Sequence, residues 1–529
     1  MRSEQPDYSP ARVFDVTRYG AKGDGKTKST DAIQRAVDGC FEAGGGTVYL
    51  PPGKHLSGPI TLKSNVTLYL DAGATLLGSE LLEDYGNVRH LVFASEASNI
   101  AIAGEGTIDG SGQVFWPTPQ RRPGGAVELV ACKMVRIRDV TIQNSPSWSL
   151  HVYGCENVSI RGVSISNDFS GPNTDGIDVT SCSDVTISDC RISTGDDAIV
   201  LKNLTRGHGP ETKRSCRNIT VTNCVISSHC NGFKIGTESE RDFENITFSN
   251  SVVFMNDPKQ PDEPRVRGIA GVAVEMVDGA NLSNVVVSNI VVKNFHAAVF
   301  IRLGNRGRNQ PVPTPGTLRH VSIDNLVAVG TVVTSSITGL PGHNVEDVSL
   351  SNIRIVMDPE GKSDDARMAR AAARAAEGGE GVPERPGEYP EAWMFGGLPS
   401  YGLYCRHVDG LTLRNFQASP MRSDKRPMLI CDDISNLTLD GLEVIAAGKP
   451  RVDGDQPFLR FVNVKNALIR GCRAPLGTAA FLRVEGDGSD GICAVGNDFS
   501  GARKAFDISP GVKSEAICES ANRPAKSDS

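Results

Sequence analysis

The sequence predicts an all-β chain wound as a single-domain parallel β-helix, a solenoid of short stacked strands. Three observations lead there. First, a short pattern of Asn or Asp followed by alternating apolar residues returns along the chain. It reads NVTLYL at 65, NVSIRG at 157, NITVTN at 218, NVVVSN at 284 and NLTLDG at 436. Second, its spacing suits a coil: 27 residues separate 157 from 184, 218 from 245 and 320 from 347, and other steps reach 39. Third, each copy alternates with period two, the mark of a half-buried strand, and Gly, Asn, Asp and Ser punctuate the copies. Repeats of this length with variable insertions signify solenoids or propellers, and no Trp-Asp blade signature is seen.

The elements follow in order. Residues 1–13 read as a tail; the opening MRSEQPDYSPARVFDV has no apolar core of a signal peptide. That start fits an intracellular protein or one whose leader has been removed. Residues 20–53 read as loop, helix, glycine stop and strand. Ser29 or Thr30 is the expected cap of a helix running to about Ala43, with Gly44 ending it. Such a helix would cover strand edges that would otherwise pair with neighbours. Coils are expected over 14–515. Many strand-opening asparagines form glycosylation sequons, as in Asn65-Val66-Thr67, but Asn at tight turns can stack and hydrogen-bond along a solenoid axis, and that role is expected here. An insertion at about 357–400 interrupts the repeat. It reads as a helix from Asp365 to about Glu377, then an aromatic stretch with Tyr389, Trp393 and Phe395. A surface excursion and the wall of a cleft fit it equally well. Residues 516–529 read as a second tail.

The 13 cysteines, an odd number, leave at least one unpaired, and none has a CxxC spacing. Several recur at equivalent places, in CENVSI (155), CSDVTI (182) and CRNITV (216), as small buried residues stacked in register would. Net charge is −7, so no basic surface for nucleic acid is expected. No apolar run approaches a membrane span. No metal cluster, phosphate loop or cofactor motif is evident. Oligomeric state is left open.

The chemistry lies in TGDDAIVLK (194–202), where Asp196 and Asp197 stand behind a glycine and lead into an apolar strand. Ionised carboxylates are costly to bury unless paired or employed. Upstream, NTDGIDVTS (173–181) carries Asp175, 21 residues before Asp196 and so close to one coil away. Parallel strands lie about 4.7–4.9 Å apart, so the spacing predicts three convergent carboxylates. Like charges held together raise at least one pKa and set a proton donor beside a base. Paired carboxylates are what glycoside hydrolysis needs.

NTDGID followed by TGDDAIVLK closely resembles glycoside hydrolase family 28, the polygalacturonase family. YGAKGDGKTKSTDAIQRAVDGC, VYLPPG and GATLLGS (73–79) resemble its entry segment. The resemblance runs from about residue 14 to at least 300. It implies a right-handed β-helix and inverting hydrolysis of an acidic, plant-type poly- or oligosaccharide. In that scheme Asp196 is the general acid, and Asp175 with Asp197 activates water. Two segments depart from the family pattern. In SHCNGFKIGTES (228–239), Asn231 stands where the family has a histidine, and His229 lies two residues earlier. In GVAVEMVDG (271–279), Ala273 and Glu275 replace the Arg and Lys of a carboxylate-binding motif. A glutamate there would repel a uronate. Lys202, Lys234 and Arg302, with Arg306 and Arg308 beyond, are the replacement cations expected. Asn231, Glu238 and Glu275 join Lys202, Lys234 and Arg302 as expected substrate contacts. Action on rhamnogalacturonan or release of rhamnose is an alternative on this fold. A lyase or a non-catalytic glycan-binding β-helix stands further off, because neither needs the three aspartates together.

Overall fold

The computed structural model describes residues 12–204, 214–256, 266–358, 381–421, 424–444 and 456–525. The expected helix from Asp365 to Glu377 lies outside the described residues. The fold is all-β, a parallel β-helix, and the chain divides into two compact units, Met1–Gly195 with Arg206–Arg214, and Asp196–Thr205 with Ser215–Ser529.

In the first unit three strands make each coil, and equivalent strands of successive coils pair in parallel. One file runs through Gly46–Leu50, Val66–Leu70, Ser98–Gly104, Lys133–Arg138, Glu156–Arg161 and Ser183–Ser188. A second runs through His90–Ser95, Gly125–Val130, Trp148–Tyr153 and Ile177–Thr180. A third runs from Gly53–Ser57 to Arg191–Thr194. Helix α1 (Thr30–Glu42) buries Ile33, Ala36, Val37 and Cys40 and lies against the first strands, as expected of a cap. Its N-terminus differs in detail. The Ser29 side chain does not cap the helix; its hydroxyl bonds the Lys22 and Thr27 carbonyls, and the Thr30 hydroxyl takes the Gly58 N–H. Gly44 follows in the left-handed region at φ 89°, where glycine carries no Cβ penalty.

In the second unit two of the three files merge into long strands, such as Asn281–Lys293 and Thr317–Thr331. Registers are kept coil after coil: Ile246, Val285, Val321, Val348, Leu411 and Leu437 stack on one another. Each is fully buried or nearly so, and burial of such a side chain is worth about 1.5–3 kcal/mol. Pairing continues to Ile517–Ser520 against Asp490–Val495, so the coils extend past residue 515, where a tail was expected.

The asparagines form the ladder that the repeat suggested. Asn325 Nδ2 donates to Asn289 Oδ1 at 2.7 Å, and Asn289 Nδ2 to Asn250 Oδ1 at 2.9 Å. A second ladder joins Asn284, Asn245 and Asn218 at 3.0 Å per rung. All six hold positive φ, which Asn tolerates better than other side chains. Eleven cysteines are free and buried, and Cys493 and Cys518 pair as a disulfide. Among the described residues no helix is long and apolar enough to cross a membrane.

Candidate active site

Asp196 and Asp197 precede the strand Ile199–Asn203, which pairs with Phe233–Ser239, and that strand pairs with Gly268–Met276. The register stacks Val200, Lys234 and Ala273. The turn between 228 and 232 fixes the aspartates. Ser228 Oγ donates to the Asp196 carbonyl at 2.7 Å, and the Ala198 N–H donates to the Asn231 carbonyl at 2.9 Å. Gly232 permits the close approach: a Cβ there would meet Val253 Cγ1 at 2.3 Å and the Gly271 carbonyl at 2.9 Å.

Asp197 is buried and held on both oxygens. Asn231 donates to Oδ1 from its backbone at 3.1 Å and from Nδ2 at 2.8 Å, and its own Oδ1 takes the Ala270 N–H. Lys234 Nζ lies 3.2 Å from Asp197 Oδ2 and 3.5 Å from Glu275 Oε2, with the Lys234 side chain 2% exposed and that of Glu275 0%. The two aspartates are driven apart. Burial, then the Asp197 charge, raises the Asp196 carboxyl above the usual range. Burial pushes Asp197 the same way, but Lys234, Lys202 and hydrogen bonds from Cys230 and Asn231 overcome it and hold the carboxyl low. Burial raises Glu275 well up, against the pull of Lys234. The result is a raised carboxyl beside a lowered one on consecutive residues.

Around this pair, Lys202 is buried on the same strand as its neighbour Leu201, and Glu238 reaches Arg308 at 3.0 Å. Arg306 closes on buried Asp278 through two nitrogens. His229 is half-buried in the turn before Cys230. Arg302 departs from the expected substrate contact. It is 1% exposed, donates to the carbonyls of Gly339 (2.9 Å), Glu384 (2.6 Å) and Arg385 (3.3 Å), and stacks 5.4 Å from the Phe395 ring. Its apolar strand context reflected full burial, and the guanidinium fastens a segment some eighty residues on.

That segment, 381–400, termed the wall, carries the aromatic stretch and packs against the coils of the second unit. Met394, Phe395 and Leu398 pack with Ala270, Ala273, Ala297 and Phe300, where small side chains leave room. Arg406 holds the carbonyls of Val382 and Pro383, and Arg426 that of Leu398. Tyr389 stays 47% exposed, its ring centroid 5.6 Å from Lys234 Nζ and 5.4 Å from the Arg306 guanidinium. Cys230 and Glu391, whose charges and burial bear on this cluster, were missed in the sequence. Cys230 sits beside Asn231 in the departing motif, and that adjacency was the available signal.

Asp175 belongs to the first unit. It is 3% exposed, and its carbonyl accepts the Ser149 N–H at 2.9 Å. Neighbouring Thr174 ties the loop, its Oγ1 donating to the Gly171 carbonyl at 2.8 Å.

Among the described residues, one group has metal-like spacing: Asp196, Asp197 and Cys230, with ligand atoms within 4.8 Å of one another. The Lys234 ammonium already supplies the positive charge beside Asp197, and burial keeps the thiol protonated.

The chain was compared with known proteins. The family model described as glycosyl hydrolases family 28 matches residues 40–368. A probable polygalacturonase of Vitis vinifera is 27% identical over 387 residues, covering 66% of this chain and 76% of its own. An exopolygalacturonase of Zea mays is 28% identical over 287 residues, covering 46% of this chain and 68% of its own. Among solved structures, a hyperthermoactive exopolygalacturonase from Thermotoga maritima superposes with a TM-score of 0.57 at 27% identity, covering 66% of this chain and 88% of its own.

Proposed function

Because the chain belongs to family 28 of the glycosyl hydrolases and is an O-glycosyl hydrolase, we propose that it cleaves an acidic pectic polysaccharide or its oligomers with inversion. The observation that carries the reading is the consecutive pair Asp196–Asp197, in which Asn231 and Lys234 hold both oxygens of Asp197 and burial raises the neighbouring Asp196. Asp196 protonates the glycosidic oxygen as the bond breaks. Asp197, anchored by Asn231 and Lys234, keeps its negative charge to accept a proton from water. Asp175, one coil of sequence upstream, shares that second role. An exo mode is supported by the names of two relatives and by the fastened wall at 381–400.

A second reading has its own support. Arg302 is bound to carbonyls, Arg306 to Asp278 and Arg308 to Glu238, so three of the cations expected to receive a uronate carboxylate are already engaged. Release of a neutral sugar such as rhamnose from an acidic backbone suits that balance.

The test is a product assay of wild type and Asp196→Asn on polygalacturonate, rhamnogalacturonan and their oligomers. Reducing ends, released monosaccharides and absorbance near 235 nm are followed together. Reducing ends that vanish in the variant support the hydrolase, and the responsive glycan names the sugar. Absorbance growth would replace it with a lyase.

A further inference from the structure

We propose that Lys234 is a positioning residue that decides which of the two adjacent aspartates is the acid: by keeping Asp197 a carboxylate, it leaves the proton to Asp196. The inference rests on the hydrolase reading above and deepens it. Two consecutive aspartates are chemically equivalent, and burial with mutual repulsion permits one negative charge far more readily than two. What breaks the equivalence is the nearest cation. Lys234 Nζ is 3.2 Å from Asp197 Oδ2, while both Asn231 donors meet Oδ1, so each oxygen of Asp197 has a partner suited to a carboxylate.

The same geometry argues against Lys234 as a substrate contact. Its side chain is 2% exposed and lies between two carboxyls, Asp197 and Glu275. Tyr389, 5.6 Å away by its ring centroid, stands over it. Small Ala273, next in register, lets the lysine lie within the stack. Glu275, which the sequence reading took for a substrate contact, is instead buried as the second partner of this lysine. The groups facing the pair from each packed element are Lys202 on the strand after the aspartates, Cys230 in the turn, Glu275 on the next coil, and Tyr389 and Glu391 on the wall.

The test uses the full chain and the oligosaccharide that wild type cleaves, with Asp196→Asn as the inactive control. Lys234→Met is expected to lower kcat about 100-fold, change KM less than threefold, and move the acid limb of the kcat profile up by about one pH unit or more. Lys234→Arg is expected to keep the limb in place. Lys234→Met leaves Glu275 buried without its partner and is open to misfolding. Lys234→Met/Glu275→Met removes both members of the buried pair, so it restores the melting temperature yet keeps the displaced limb. A double variant with the wild-type limb would overturn the proposal, as would a raised KM with an unmoved profile. Either result leaves the hydrolase reading standing if Asp196→Asn is dead. Silence of wild type on every glycan overturns that reading, and this inference with it.

Discussion

Replacing Arg302 with Met tests whether that arginine fastens the wall or touches substrate. The guanidinium makes hydrogen bonds to the carbonyls of Gly339, Glu384 and Arg385 and stacks on Phe395. Burial draws its pKa down to about 10, so it remains charged at neutral pH. Hydrogen bonds from charged groups are worth about 1.5–3 kcal/mol each. Two of the three run to the wall, and the cost of burying the guanidinium offsets part of their gain. A net loss of about 3 kcal/mol in wall anchoring follows, which is roughly a 100-fold rise in local opening. Hydrogen exchange read by mass spectrometry should show that acceleration over 384–396, with the coil strands Gly268–Met276 and Phe295–Leu303 unchanged. Methionine fills similar volume, so the melting temperature should fall by only a few degrees. Unchanged exchange over the wall together with a raised KM would refute the reasoning and return Arg302 to the substrate.

Other consequences are equally open to measurement. Tyr389→Ala removes an exposed ring from beside Lys234 and Arg306; a sugar stacked there predicts a KM about tenfold higher with kcat within threefold, and Tyr389→Phe should match wild type. Asn289→Ala breaks two ladder bonds and puts alanine at φ 57°. It should cost about 3–4 kcal/mol in chemical denaturation, from about 1 kcal/mol per bond and 1–2 for the left-handed backbone. His407 donates from Nδ1 to Asp433 at 2.6 Å and from Nε2 to Glu384 at 3.1 Å, and these bonds raise its pKa above the ordinary 6.5 despite burial. A raised pKa gives stability that is complete below pH 6.5 and is lost as pH climbs through the folded value. Exchange over 381–385 should therefore quicken on the alkaline side, and His407→Gln should flatten that dependence.

The fold was legible because a solenoid writes its geometry locally. Each Asn-led alternating segment is one strand of one coil, and the same signal recurs at Asn218, Asn245 and Asn284. Helix α1 was legible for the same reason, from its start near Ser29 to Gly44. The aspartates stood out because two carboxyls at the mouth of an apolar strand have few uses. What sequence could not supply was partnership across coils. Lys234 and Glu275 lie 41 positions apart, yet their side chains meet, and nothing in either segment marks the other. Arg302 misled for a related reason. An arginine in an apolar strand signals burial, and burial is compatible with substrate or with backbone carbonyls. The carbonyls it binds belong to residue 339 and to residues 384 and 385 inside the insertion, whose length hides the contact.

The asparagine ladder has a meaning for how such a chain changes over generations. Along each ladder an asparagine bonds the asparagine one coil away, held in the same backbone state. A duplicated stretch of one coil, such as the 27 residues from Asn218 to Asn245, would arrive with its own rung, its own aliphatic layer and two matching faces. Coil number is then a trait that inheritance can raise or lower by whole steps. A partial step strands an amide without its neighbour and is selected against. Residues added at the corners between strands leave the stack in phase.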